Sequence, residues 1–491
     1  MKVCFITECG QGIGSGHLMR TQSLGEAFEE RGIRPIFLVH VREEKDGVLE
    51  NAFNRCIRKI DWHRDRETLL EAIEGSDIAI VDSYLADRAG YRAIAAASKL
   101  TVYLDDDNRL DYPDGVVLNG AMGAEGIAYP KNKGKHYLLG PTYLALRKAF
   151  WRVPQKQIDK EIRRVLITFG GSDPRNMTPR ILKLLCDRYP AWFKRVVIGK
   201  SFEHVDEIIA LNLHPVERIF YPDDEGMKAL MLVSDLVISA GGQTVYECAR
   251  VGVPLIAVAV SENQRANVIE GQKAGFLESA GTWNERDFSD KMIAKIERLR
   301  EQTIREKMQD IGKRTIDGRG SKKTVNALLK RYVQNHGVLR TARIEDSIQV
   351  YALSNDPEVR AFSFRHESIS LEDHLTWYAD KLKDRRCHFY VAEAGGLFLG
   401  QTRFDLEGRD AAVGICMEKK WRGLGLGKFM LQEAIARLNE AAPEVLAVKA
   451  YIKEENTLSI HFFESLGFEY LSDALIENQD AKVFLYPIRC A

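Results

Sequence analysis

Cysteine is scarce in this sequence, and its positions follow no recognisable pattern. The eight cysteines are scattered over 491 residues, and none forms a CxxC pair or a Cys/His spacing suited to a metal. A structural zinc site requires such spacing, so we expect no bound metal. Scattered thiols are also typical of a reducing compartment. The sequence therefore predicts a cytoplasmic protein.

The sequence also lacks a charge excess and a long apolar run. Lysine plus arginine and aspartate plus glutamate each number 70, so the formal net charge is zero. Without a net basic field, we expect no nucleic-acid partner and no anionic membrane surface as a partner. The apolar runs stay short of the roughly 18 to 20 residues that cross a bilayer. The first residues run as a short strand into a glycine loop, which is unlike a signal peptide.

The chain is too long for one hydrophobic core, and its patterns divide it into three regions. These are residues 1–150, 155–335 and 339–491, with a linker predicted at 334–337. The first two regions alternate short β-branched runs with helical patterns, which predicts two parallel, Rossmann-like sheets covered by helices on both faces. The predicted strands are 3–6, 35–39, 78–81, 100–104, 115–118, 164–169, 196–198, 218–220, 236–239 and 255–260.

A glycine loop with a histidine follows the first predicted strand. It reads Gly14-Ser15-Gly16-His17, and Arg20 follows in the next helix. Strand, glycine loop and helix form the geometry in which backbone N–H groups face an anionic ligand. His17 could exchange a proton there, because histidine titrates near neutral pH. The glycines could equally serve only a tight turn that His17 caps, and Arg20 could hold either a phosphate or an ion pair.

The second region has two glycine loops of its own. One contains Gly171 and Ser172, and the other contains Gly241, Gly242 and Gln243. Neither fits the dinucleotide GxGxxG pattern or a Walker loop, which disfavours hydride transfer and ATP use. The first two regions form two Rossmann-like units in tandem, each with a glycine loop opening towards the other, which predicts a cleft between them for a nucleotide-sugar. An aspartate run at 105–107 lacks a partner cluster for a metal, so we interpret it as turn chemistry and ion pairing.

The third region combines a short motif with a later one at a specific distance. Arg422-x-x-Gly425-x-Gly427 follows a strand and opens a long helix, and Asn456-x-x-Ser459 follows further on. The combination resembles the GNAT family of acetyl-CoA-dependent N-acetyltransferases. The resemblance implies acetyl-CoA as co-substrate, held by Met417, Arg422, Gly423, Gly425, Gly427, Lys428, Asn456 and Ser459. Many members have a tyrosine acid where Phe463 stands, so the general acid is left unassigned.

Five ordered motifs occupy the first two regions. They are Gly14-Ser15-Gly16-His17-x-x-Arg20, Val81-Asp82-Ser83-Tyr84, Phe169-Gly170-Gly171-Ser172-Asp173, Ser239-Ala240-Gly241-Gly242 leading to Glu247, and Glu262-Asn263-Gln264. Together they resemble the UDP-sugar hydrolase of pseudaminic acid biosynthesis, a relative of the GT-B glycosyltransferases. That family releases UDP by water attack at the anomeric carbon, without a metal.

The hydrolase resemblance assigns roles to particular residues. It implies that His17 transfers the proton, that Tyr84 and Asn263 lie near the sugar or phosphates, and that Glu247 binds the ribose. The full predicted substrate-binding set is Gly14, Gly16, Arg20, Tyr84, Gly171, Ser172, Gly241, Gly242, Gln243, Glu247 and Asn263. The predicted fold class is α/β, with two Rossmann-like units in a GT-B-type arrangement followed by a GNAT α+β domain.

The two resemblances support each other. In pseudaminic acid biosynthesis a GNAT enzyme acetylates a UDP-4-amino sugar, and the hydrolase consumes the acetylated product. Both activities in one chain are therefore the predicted function. Three alternatives stay open. The first is a GT-B-like glycosyltransferase or UDP-sugar epimerase with an accessory acetyltransferase, and the second is the same two activities on another diamino sugar. The third is a sugar-nucleotide sensor without enzymatic activity.

Overall fold

The computed structural model describes residues 1–10, 16–42, 57–130, 132–211 and 213–488. The chain divides into two compact units, Met1–Val325 and Asn326–Ala491. The first unit contains two parallel sheets, and the second contains a mixed sheet. Among the described helices, none has the length and apolar character needed to cross a membrane.

The first sheet is fully parallel and has the order β3-β2-β1-β4-β5-β6-β7. Its strands are β1 (Val3–Gly10), β2 (Ile36–Arg42), β3 (Ile57–Lys59), β4 (Ser76–Asp82), β5 (Ser98–Leu104), β6 (Gly115–Asn119) and β7 (Lys135–Leu139). The helices among them are α1 (Gly16–Glu29), α2 (Arg66–Ile73) and α3 (Arg88–Ala96). Strand order reverses between β1 and β4, and in such sheets ligands bind beyond the carboxyl ends of the strands at that reversal.

The second sheet repeats this arrangement with the order β10-β9-β8-β11-β12-β13, again fully parallel. Its strands are β8 (Arg164–Thr168), β9 (Phe193–Ile198), β10 (Val216–Phe220), β11 (Leu236–Ala240), β12 (Leu255–Ala259) and β13 (Glu278–Thr282). Its helices are α4 (Met177–Arg188), α5 (Val205–Ala210), α6 (Asp224–Val233), α7 (Thr244–Val251), α8 (Glu262–Ala274), α9 (Phe288–Leu299) and α10 (Gln302–Thr315). Its order reverses between β8 and β11.

Central strands are buried on both faces, which explains why their sequences are continuous apolar runs. Every residue of β4, β11 and β12 is buried. All ten predicted strands are present, most of them longer by one or more residues. Three strands were not predicted, β3, β7 and β13, and each lies at an edge of its sheet. Edge strands need less apolar sequence, so their pattern is weaker.

The third sheet has the order β14-β15-β16-β17-β18-β20-β19 and is mainly antiparallel. Its strands are β14 (Gly337–Thr341), β15 (Cys387–Ala394), β16 (Leu397–Glu407), β17 (Asp410–Met417), β18 (Ala447–Lys453), β19 (Glu469–Ile476) and β20 (Gln479–Pro487). The helices are α11 (Gly320–His336), which precedes β14, then α12 (Ser347–Ser354), α13 (Pro357–Phe362), α14 (Leu371–Lys383), α15 (Leu426–Ala441) and α16 (Thr457–Glu464). The predicted fold class is confirmed.

The predicted linker at 334–337 is wrong. Residues 334–336 continue α11, and Gly337 is already the first residue of β14. The division between the two compact units falls within the same helix, after Val325. A polar Gln-Asn-His-Gly stretch reads as a loop in isolation, but here its first three residues extend a helix that is already formed.

Candidate active sites

The first candidate site lies where β1 and β4 end, at the reversal of strand order in the first sheet. Gly14, a predicted ligand contact, lies outside the described residues. Gly16 is the first residue of α1, and a Cβ atom placed on it would meet nothing within 4 Å. Space is therefore open beside the helix start, next to His17.

His17 is held by a buried aspartate at the end of β4. Its Nδ1 atom lies 2.5 Å from Oδ1 of Asp82, and Asp82 is fully buried while His17 is 5% exposed. An ionised carboxylate accepts a hydrogen bond, so Nδ1 of His17 carries a proton and donates a hydrogen bond to Asp82. The second ring nitrogen, Nε2, is then the one that can take a proton.

Arg20 forms ion pairs with two aspartates. Its Nε atom lies 2.5 Å from Oδ2 of Asp82, and its Nη1 atom lies 2.6 Å from Oδ1 of Asp106. Burial alone would raise the pKa of Asp82, but the charge of Arg20 and hydrogen bonds from Arg20 and His17 outweigh it and lower the pKa. The same guanidinium outweighs burial at Asp106 and lowers its pKa to about 2. Arg20 is therefore engaged in ion pairs in this structure, and its contact with a substrate phosphate stays a prediction.

Tyr84 extends this network towards solvent. Its hydroxyl donates to Oδ2 of Asp106 at 2.5 Å, and its ring meets the His17 ring edge-on at 4.6 Å between centroids. Burial, and then Asp106, raise the pKa of Tyr84, so the phenol stays protonated. Buried Glu8 accepts hydrogen bonds from the Ser83 hydroxyl and the Tyr84 amide, which positions this loop.

The aspartate run at 105–107 behaves as predicted for turn chemistry and ion pairing. Asp105 accepts hydrogen bonds from the amides of Asn108 and Arg109 and from the hydroxyls of Tyr112 and Tyr129. Within the described ranges, no group of three or more His, Cys, Asp or Glu side chains is arranged to hold a metal ion.

The second sheet places its first glycine loop directly after β8. A Cβ atom on Gly171 would meet nothing within 4 Å, and both Gly171 and Ser172 are exposed. Asp173 accepts hydrogen bonds from the amides of Met177 and Thr178, so its carboxylate satisfies the first two amides of α4. The loop backbone thus faces open space while its aspartate is engaged behind it.

The second glycine loop connects β11 to α7. Gly241 donates its amide to Oε1 of Gln264, and its carbonyl accepts from Asn267, so α8 holds the loop. A Cβ atom on Gly241 would lie 2.4 Å from Val268, which only glycine avoids. Gln243 precedes α7 and makes no side-chain cap, while the amides of Val245 and Tyr246 donate to the carbonyls of Gly242 and Gln243.

Tyr246 connects the two sheets of the first unit. Its hydroxyl donates to Oδ1 of Asn267 and accepts from the amide of Met122, which follows β6. Burial, with a contribution from Asp106, raises the pKa of Tyr246. The ends of both sheets therefore approach each other here, as the predicted cleft requires.

Glu247 is almost completely buried, at 3% exposure. Its two carboxylate oxygens each accept a hydrogen bond from Arg147, from Nε and Nη2, both at 2.6 Å. Arg147 also donates to Asp224 at 2.6 Å. Arg147 was not predicted, because it lies between the two sheets in a stretch of sequence without a recognisable motif.

Asn263 lies in the exposed first turn of α8, where its Oδ1 accepts a hydrogen bond from the Ser261 hydroxyl.

The second candidate site, in the second unit, begins with two strands that separate. β17 and β18 pair in parallel only from Asp410 to Ala412 and from Ala447 to Lys449. β17 continues to Met417 with β16 as its partner, and β18 continues to Lys453 with β20 as its partner. The backbone between Ala412 and Met417 therefore faces an opening that a ligand can enter.

The predicted coenzyme loop lies at the open end of these strands. Gly423 and Gly425 have φ angles of +73° and +75°, and a Cβ atom on either would meet nothing within 4 Å. Arg422 donates from Nε to the Met417 carbonyl at 2.7 Å and from Nη1 to Glu358 at 2.6 Å. Gly427 packs against Phe462, and Lys428 is exposed in the first turn of α15.

Asn456 immediately precedes α16, and its Oδ1 accepts a hydrogen bond from the amide of Ser459 at 3.1 Å. The spacing Asn-x-x-Ser is therefore a helix cap in this structure. Phe463 lies on the same helix, 5% exposed, with its ring 4.9 Å from that of Phe468. It packs in the core, so an acid has to come from elsewhere.

The architecture has two parts, a pair of parallel, Rossmann-like sheets in the first unit and a mixed sheet in the second. Residues 169–316 match the glycosyltransferase family 28 C-terminal domain, and residues 337–469 match the acetyltransferase (GNAT) domain. This combination confirms the two resemblances found in the sequence.

Three proteins with curated descriptions are similar in sequence to this chain. An uncharacterized protein of Methanocaldococcus jannaschii is 24% identical over 502 residues, covering 96% of this chain and 97% of that protein. The spore coat polysaccharide biosynthesis protein SpsG of Bacillus subtilis is 24% identical over 276 residues, covering 54% of this chain and 79% of that protein. The Helicobacter pylori protein named pseudaminic acid cytidylyltransferase and UDP-2,4-diacetamido-2,4,6-trideoxy-beta-L-altropyranose hydrolase is 23% identical over 302 residues, covering 60% and 52% respectively.

Proposed function

We propose that the first unit hydrolyses a UDP-linked diacetamido trideoxy hexose to free sugar and UDP. We further propose that the second unit N-acetylates the preceding UDP-4-amino sugar. The observation that carries the hydrolase proposal is the His17–Asp82 hydrogen bond at the strand-order reversal, 2.5 Å long and shielded from water. The similarity to the Helicobacter pylori hydrolase supports the choice of substrate.

In this proposal, His17 takes a proton from water through Nε2. The water oxygen forms a bond to the anomeric carbon, and the bond from that carbon to the phosphate oxygen breaks, with its electron pair leaving on UDP. Asp82 stays ionised beside Arg20, so it holds the ring orientation and stabilises the imidazolium that forms. Proton transfer of this kind contributes about 10²- to 10⁴-fold to a rate.

The departing diphosphate needs donors, and the second sheet offers them. The open backbone at Gly171 and Ser172 and the loop amides of Gly242 and Gln243, just before α7, are the donors we assign. They stabilise negative charge that grows as UDP leaves, which is where preorganised N–H groups contribute most.

We assign the ribose to Glu247, with Arg147 as its positioning residue. Each Glu247 oxygen receives one hydrogen bond from Arg147, and a carboxylate oxygen can accept more than one. Ribose hydroxyls can therefore donate to the same oxygens without displacing the arginine. In this arrangement Arg147 fixes the carboxylate that recognises the nucleotide.

For the second unit, acetyl-CoA supplies the acetyl group as an activated thioester. The open positions of Gly423 and Gly425 fit a pyrophosphate, because side chains there would fill the space it needs. The backbone N–H groups of β17 after Ala412 face the opening beside β18 and suit an acetyl carbonyl oxygen. Acetylation comes first in the reaction order, although its domain comes second in the chain.

The direct test is to incubate the purified protein with UDP-4-amino-4,6-dideoxy-N-acetyl-altrosamine and acetyl-CoA, following free thiol and UDP separately. We expect thiol release followed by UDP release, with UDP appearing only when acetyl-CoA is present. UDP release without any thiol would contradict the acetylation step. The absence of both UDP and thiol would contradict the proposed substrate.

A glycosyltransferase is the second candidate, because residues 169–316 match a glycosyltransferase domain. The two functions differ in the acceptor of the sugar. The hydrolase proposal requires free reducing sugar in an amount equal to the UDP released. UDP release that depends on an added sugar or lipid acceptor would instead favour the transferase.

A further inference from the structure

An arginine outside the predicted motifs lies at the edge of the second sheet where its glycine loops open. Arg175 follows the first of these loops, two residues before α4, and its guanidinium carbon lies 4.5 Å from the centroid of the Trp283 ring. Its Nε atom donates a hydrogen bond to the carbonyl of Val260, which follows β12, at 3.4 Å. The side chain is therefore held at two points, although it is exposed to solvent.

Val260 connects this arginine to the second glycine loop. The amide of Val260 donates to Oε1 of Gln264, and the same oxygen accepts a hydrogen bond from the amide of Gly241. Gln264 thus holds Val260 beside the second loop, and the Val260 carbonyl in turn holds Arg175. Both glycine loops follow strands of one parallel sheet, so they open at the same edge. Arg175 lies at that edge with a contact towards each loop.

The ring contact and the carbonyl contact leave most donors of Arg175 unused. A guanidinium has five N–H donors, and here only the one on Nε has a partner. Within the part of the chain that the structure describes, Nη1 and Nη2 of Arg175 make no hydrogen bond and no ion pair. The planar fork of a guanidinium matches two oxygens of a phosphate. Because the side chain is already anchored, binding an anion there costs little additional side-chain entropy.

The arginines already placed at the site have no positive charge to spare. Arg20 has two aspartate partners, and Arg147 has a glutamate and an aspartate as partners. In each group two carboxylates face one guanidinium, so neither group attracts a diphosphate. Glu262, at the start of α8, pairs with Arg265. Arg175 therefore keeps its positive charge without a carboxylate partner among the described residues.

A lysine lies next to the first loop but has no comparable anchor. Gly199 approaches this loop so closely that a Cβ atom on it would lie 2.4 Å from the carbonyl oxygen of Gly171. Lys200 comes next in the chain and is exposed, and no hydrogen bond, ion pair or ring contact with the described residues holds its side chain. Lys200 adds positive charge near the loop, whereas Arg175 also has a fixed orientation.

We propose that Arg175 binds the diphosphate of the nucleotide-sugar and balances the negative charge that grows on it as UDP leaves. This inference rests on the proposed hydrolase function. The Nη1 and Nη2 groups donate to phosphate oxygens, while the contacts with Trp283 and Val260 stay in place. When the bond between the anomeric carbon and the phosphate oxygen breaks, its electron pair stays on that oxygen. The guanidinium stabilises this charge without giving or taking a proton.

The test compares the binding of UDP and of uridine to the full-length protein by calorimetry, which needs no turnover. Arg175→Gln keeps a polar side chain at an exposed position but removes the charge and the fork. We expect it to weaken UDP binding by about tenfold or more, the usual effect of losing a hydrogen bond to a charged group, and to leave uridine binding unchanged. Arg175→Lys should give an intermediate UDP affinity, because an ammonium keeps the charge but not the paired donors.

Arg180→Gln is the matched control. Arg180 is also an exposed arginine on an aromatic ring, that of Phe288 at 4.4 Å, and it also donates to a backbone carbonyl, that of Trp283. It lies inside α4 instead of at the loop, so it should keep the wild-type affinity for UDP. An equal loss of affinity in Arg175→Gln and Arg180→Gln would overturn the proposal.

Uridine separates this inference from the proposed function, because it has the base and the ribose of UDP but no phosphate. The wild-type protein should bind UDP more tightly than uridine, and Arg175→Gln should remove most of that difference. Unchanged UDP binding by Arg175→Gln would overturn the inference and leave the hydrolase proposal intact. Failure of the wild-type protein to bind either compound would contradict the proposed function, and the inference with it.

Discussion

At the scale of single residues, the proposed hydrolase site depends on one carboxylate with two partners. Asp82 binds His17 through one oxygen and the Arg20 guanidinium through both. Because Arg20 keeps Asp82 ionised, the imidazole of His17 is held with its proton on Nδ1. The loss of either interaction should change proton transfer more than substrate binding.

Asp82→Asn should lower kcat for UDP release by about 10²-fold or more, because an amide no longer enforces the productive tautomer of His17. The measurement is the steady-state rate of UDP release, with acetyl transfer followed in the same preparation. Asp77→Asn is a matched control, since Asp77 lies at the opposite end of β4 and pairs with Lys99. A similar loss in both variants would point to a general weakening of the fold.

The free energy of unfolding should depend on pH in the acid range through Asp106, which pairs with Arg20 in the same cluster. The pKa of Asp106 is lowered to about 2 in the folded protein, against an ordinary value of 3.8. Its contribution to the free energy of unfolding is therefore complete above the ordinary pKa and is lost as the pH falls towards 2. We expect Asp106→Asn to flatten this acid dependence in urea unfolding between pH 4 and pH 2. An unchanged dependence would contradict the ion pair with Arg20.

At the scale of elements, strand ends and helix starts place the functional groups. β1 and β4 lie side by side, with Asp82 at the end of β4 beside His17, and β17 and β18 separate at the proposed acetyltransferase site. The glycines at these turns matter where the backbone requires them. Gly425, with a φ of +75°, is the clearest case.

Gly425→Glu should weaken acetyl-CoA binding by at least about tenfold, because it adds left-handed strain of about 1–2 kcal/mol and places an anion where a pyrophosphate would bind. Gly396→Glu is a matched control with a φ of +85° in the β15–β16 turn, where a Cβ atom also meets nothing within 4 Å. Calorimetric titration with acetyl-CoA distinguishes them. Normal affinity in Gly425→Glu would show that the coenzyme loop is assigned wrongly.

At the scale of the whole molecule, the chain divides into two compact units, and each has its own candidate site. His17 and Asp82 belong to the first unit, and the loop at 422–428 belongs to the second. The two activities should therefore respond independently to substitution.

His17→Ala should abolish UDP release and leave acetyl transfer at its wild-type rate, because the substituted side chain belongs to the first unit alone. The two products, UDP and free thiol, are measured in parallel on the same sample. Equal loss of both would argue against separate sites.

A chelator should leave UDP release unchanged, because the proposed mechanism uses His17 and backbone donors. The measurement is UDP release before and after dialysis against EDTA. Strong inhibition that added divalent metal reverses would contradict the mechanism and would bring Asp105 and Asp106 back as metal ligands.

The sequence alone determined the fold class and the order of the parts. Continuous apolar runs identified the buried central strands, and motif spacing identified both resemblances, because these depend on residues close together in the chain. Edge strands β3, β7 and β13 were missed, and a linker was predicted inside α11, because short or polar segments take their structure from the elements around them.

Only the tertiary structure decided which side chains meet. Asp82 lies 65 residues from His17, and Arg147 lies 100 residues from Glu247. No local pattern encodes such pairs, since the order of the strands in the folded chain brings them together. The partners of the proposed proton-transfer and ribose-binding residues are therefore a property of the folded chain.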